Sequence, residues 1–202
     1  MIKNNIYTLS PQEQDNFQNS YFLKVFTGDE FPCKAFTEND WYFYPILWED
    51  EYSNLQNTFS MAKELGEKSI YLYCPYVRDE ESNVLELSFD ASEYSILQLF
   101  QGIPYCALDY VLLGTKNEWG IYMGRGENYA ILGCSPKVRG TVEKHYALFD
   151  EKFEGGEGLI DHFFEGAWRI KSYEGLMYIY STLEKMKKDY PSMFSDIPSE
   201  LV

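Results

Sequence analysis

The sequence predicts an α+β fold, a single domain over residues 1–202 in which an antiparallel β-meander is packed by several α-helices. Three observations carry this reading. Three short apolar runs, "ALDYVLLG", "WGIYMG" and "NYAILGC", follow one another with gaps of only a few residues, and short connections force antiparallel pairing. Amphipathic stretches with helix caps flank them on both sides. No long linker, low-complexity tract or internal repeat divides the 202 residues, a length that buries a sizeable core.

The elements follow in order. In "LSPQEQDNFQNSYFLKVF", Ser10 caps a helix, Pro11 suits its first position and Glu13 completes a capping box. Phe17, Tyr21 and Val25 recur every four residues along one face, and Gly28 is the stop. "FPCKAFTENDWYFYPILWED" reads as loop and short strand because two prolines break it. "EYSNLQNTFSMAKELGEK" is a second helix, with Tyr52, Leu55, Phe59, Ala62 and Leu65 inward and Gly66 at its end. "SIYLYCPYV" and "NVLELSFD" are strands joined by an acidic turn; the second alternates, so one of its faces is buried. "DASEYSILQLFQG" reads as a short helix opened by Asp90 and stopped by Gly102 and Pro104.

After the meander, "SPKVRGTVEKHYALF" repeats the Ser-Pro start, and Val138, Val142, His145 and Phe149 share a helix face. "DEKFEGGEG" is an acidic glycine-rich loop, and "LIDHFFEGAWRIKSY" fits helix and strand equally. "GLMYIYSTLEKMKKDYP" is a terminal helix with Leu176, Ile179, Leu183 and Met186 on one face. Lys185, Lys187 and Lys188 suit its C-terminal end, and Pro191 closes it.

The formal charge is −15, from 32 acidic and 17 basic residues. Such a surface repels nucleic-acid phosphates and anionic lipid, so neither is an expected partner. It keeps a protein soluble, and it also complements a basic protein and steers its approach. Aromatic residues make up 18% of the chain, which serves either a thick core or a binding face. The N-terminus has no apolar signal region and no run approaches 18 apolar residues. Cys33, Cys74, Cys106 and Cys134 are widely spaced, without a zinc pattern. A reducing cytoplasm is the expected location.

No constellation for catalysis stands out. There are two histidines, His145 and His162. A Cys134–His145 pair is conceivable, but a histidine on an apolar helix face is more often a satisfied core residue. "GRGEN" lacks the Lys-Ser/Thr of a phosphate loop and joins two strands. "DEKFEGGEG" lacks the ligand order of an EF-hand. No cofactor or metal is expected. Consecutive acids such as Asp79, Glu80, Glu81 and Glu49, Asp50, Glu51 read as solvated turns that could contact a partner. Between Lys116 and His145 the balance reverses, with five basic residues to three acidic ones.

"WGIYMGRGENYAILGCSP" resembles a pattern found in immunity proteins, small bacterial cytosolic proteins encoded beside polymorphic toxins. The match runs from Asp109 to about Phe149; it departs where Gly124 and Gly126 flank Arg125, since small hydroxyl residues are expected there. The resemblance implies neutralisation of a cognate toxin by protein–protein contact. The expected partner-binding residues are Arg125, Glu127, Asn128 and Tyr122 on the hairpin, with Asp79, Glu80, Glu81, Glu49, Asp50 and Glu51. The alternatives are a nucleic-acid mimic, and a small-molecule enzyme with a pocket around Arg125, Glu127 and Tyr122 near the 119–133 hairpin.

Overall fold

The computed structural model describes residues 6–28, 35–37, 40–47, 51–74, 84–89, 110–124, 129–146 and 173–194. The meander is present as β5 (Tyr110–Gly114), β6 (Trp119–Met123) and β7 (Tyr129–Cys134), each antiparallel to the next. It is the middle of a seven-stranded sheet. β3 (Ser69–Tyr73), β4 (Val84–Ser88) and β1 (Ile6–Thr8) extend one side, and β2 (Tyr42–Leu47) closes the other. The order is β1-β4-β3-β5-β6-β7-β2, and every neighbouring pair is antiparallel. The α+β expectation holds.

Both faces of the sheet are covered. On β4 the expected face holds, with Leu87 buried and Leu85 and Phe89 packed partly buried beside it, and on the opposite face Val84 is also buried while Glu86 and Ser88 are half-buried. On one side, Tyr71, Tyr73, Val111, Leu113, Tyr122 and Ile131 pack under the N-terminal helical segment and the C-terminal Met186, Tyr190 and Met193. On the other, Ile70, Leu72, Leu112, Trp119, Ile121 and Leu132 pack under α3 (Glu51–Glu64) and α4 (Arg139–Tyr146). Helices on both faces of a sheet bury apolar residues at odd and even strand positions alike.

The N-terminal segment starts as read. The Glu13 carboxylate accepts the Ser10 backbone N–H at 2.8 Å and closes a capping box. α1 (Pro11–Phe17) then passes through a π-helical turn (Gln18–Phe22) into α2 (Leu23–Val25). One wide turn shifts the inward face by one residue, so Phe22 takes the core position that a four-residue repeat gives to Tyr21, which is only partly buried.

β2 is longer than the loop-rich reading implied and contains Pro45. It is an edge strand, where proline's missing N–H costs no ladder bond. Part of its open side is capped, since Phe43 N–H donates to Ser192 Oγ at 3.2 Å, in the 3-10 turn Pro191–Phe194. α3 ends in a Schellman motif: Glu67 N–H reaches Ala62 O and Gly66 N–H reaches Lys63 O, with Gly66 at φ +71°. α4 starts at Arg139 and buries Val142 and Tyr146, while His145 lies at its margin. α5 (Tyr173–Asp189) is the terminal helix. The helix expected over 90–102, Phe149, and the segments from 150 to 172 lie outside the described residues.

Candidate functional site

Strand direction decides where the connections emerge. The register places Val84 beside Tyr73, Tyr73 beside Val111, Tyr110 beside Met123, Met123 beside Ala130 and Tyr129 beside Leu47. These residues therefore form one end of the sheet. The segments 75–83, 125–128 and 48–50 all connect to strand termini at that end. They carry Asp79, Glu80 and Glu81; Arg125, Glu127 and Asn128; and Glu49 and Asp50, which lie outside the described residues. Glu51 begins α3 next to the last group. Five strand spacings of about 4.8 Å make this end roughly 24 Å wide from β4 to β2, the breadth of one side of a standard protein interface.

Tyr122 requires a correction. Its side chain is 2% exposed and its ring packs edge-on against Phe26 at 5.7 Å. It faces the helical layer that covers the sheet, so it is a core residue and neither docks a partner nor lines a cleft.

The opposite end of the sheet is built differently. The Glu67 carboxylate accepts the backbone N–H of Thr115 at 3.1 Å and also the Thr115 hydroxyl, so the end of α3 clamps the β5–β6 turn. Asn117, at φ +56° in that turn, donates from Nδ2 to Ser20 O at 3.0 Å. Lys116 bonds the Leu65 carbonyl and Lys137 pairs with Glu118. Lys68, Lys116 and Lys137 are exposed here. Lys116 and Lys137 of the basic stretch thus border the end remote from the acidic segments, whereas its Arg125 belongs to a segment that leaves the other end.

A third polar group ties β2 to α4. Glu143 Oε1 accepts Tyr44 OH at 2.8 Å and Arg139 Nε at 2.7 Å, and the guanidinium lies 4.0 Å from the Tyr42 ring centre. The bond from Arg139 holds the Glu143 carboxyl below the usual range, and burial raises the Tyr44 hydroxyl. Nothing in the sequence marked this group, because its partners are 99 positions apart.

The conceivable Cys134–His145 pair is not made. Burial pushes the Cys134 thiol up to about 12, with Glu143 adding to it, so it stays neutral. His145 Nε2 instead lies 2.9 Å from Glu64 Oε2, which Lys144 also reaches at 2.7 Å. Among the described residues, no three His, Cys, Asp or Glu side chains gather to hold a metal ion, and no helix is long and apolar enough to cross a membrane. A small depression of about 200 Å³ lies between α1 and the ends of β3 and β4, at the end of the sheet from which the acidic segments leave. No protein family, curated protein or solved structure matches the chain.

Proposed function

We propose that this chain is an acidic binding protein of the bacterial cytoplasm that neutralises a basic protein, such as a cognate toxin, by covering it. The observation that carries the reading is the convergence of segments 48–50, 75–83 and 125–128 on strand termini at one end of the sheet. Together with Glu51 they hold seven carboxylates and, counting Arg78, two arginines. A net charge of −15 with exposed lysines at the far end makes an uneven field, which orients a cationic partner before contact. Such inhibition needs close burial of a few anchors and no reaction.

The test is co-purification with the product of the neighbouring gene, followed by titration at low and high salt. The expected result is a stoichiometric complex whose association rate falls steeply as salt rises. Absence of a complex, or a complex indifferent to salt, refutes the reading.

A further inference from the structure

We draw no further inference here: the strongest candidate, the outer edge of β1, which bears the 56% exposed Tyr7 and, unlike the β2 edge, holds no proline, carries nothing, because nothing in the structure shows what covers it.

Discussion

Gly120→Ala probes how closely the N-terminal layer lies on the sheet. A Cβ at Gly120 meets Phe26 Cζ at 2.6 Å and Val25 Cγ1 at 2.7 Å. Carbon atoms rest about 3.5–4.0 Å apart, so the phenyl ring must retreat by about 1 Å. It has nowhere to go, since Phe22, Phe36 and Tyr122 surround it with ring centres at 5.5, 4.9 and 5.7 Å. Overpacking of this kind costs about 1–3 kcal/mol. Gly120 does not have a positive φ, so alanine regains about 0.4–1 kcal/mol by restricting the unfolded chain. The net expectation is a loss of about 1–2 kcal/mol, read as a lower urea midpoint at unchanged m and roughly 3–6 °C in Tm. Gly140→Ala is the matched control. It is exposed, near the start of α4, with nothing within 4 Å of its Cβ position, and gains about 0.5 kcal/mol. Equal stability of Gly120→Ala and the parent, or both variants moving in the same direction, refutes the close contact of Phe26 with β6.

Tyr190→Phe removes the hydroxyl that accepts the buried Ala35 N–H at 2.8 Å, and an unpaired buried donor costs about 1–3 kcal/mol in a urea melt. In the folded, reduced protein at pH 8, mass-spectrometric mapping of iodoacetamide finds Cys74 and Cys134 unmodified, because burial pushes their thiols up to about 11 and about 12; both react after unfolding. Glu13 and Glu143 have folded pKa values below those of free carboxyls, through bonds from Ser10 and from Arg139 respectively. The stability they lend is full above about pH 4.3 and is lost as pH falls through the folded values. Carboxyl carbon shifts should therefore show midpoints below 4.3, and Gln14, whose N–H bonds Ser10 O, loses exchange protection over the same range. Midpoints at or above 4.3 contradict the hydrogen bonds.

Local features carried the fold prediction where the physics is local. The Ser10–Glu13 box, the Gly66 stop and the short gaps of the meander each need only neighbouring residues, and each is present. The readings failed where distant parts decide. A period of four assigns Tyr21 to the core, but the π turn brings in Phe22, whose ring meets Tyr73 at 4.8 Å. Thr58 is not among the inward residues read for α3, yet it is buried and its hydroxyl lies 2.6 Å from Tyr146 OH, 88 positions away. Tyr122 is expected among the partner-binding residues of the hairpin, yet Phe26 and the helical layer cover it. Alternation along a strand tells which residues share a face, but not whether a second layer lies on it.

The candidate site follows from strand parity. β2, β3 and β6 occupy alternate places in an all-antiparallel order, so they run in the same sense, and the segments after them emerge at one end. Composition marked 48–51, 75–83 and 124–128 as polar turns, but their convergence depends on β2 pairing with β7 and β3 with β5, contacts that no local pattern encodes. The same parity puts Lys116, after β5, and Lys137, after β7, at the other end. Were β2 to pair parallel with β7, its direction alone would reverse, and Glu49 and Asp50 would emerge at the end that holds these lysines. The field of the folded chain is therefore a product of its topology, and the same number of charges in another strand order would leave a basic partner without a preferred approach.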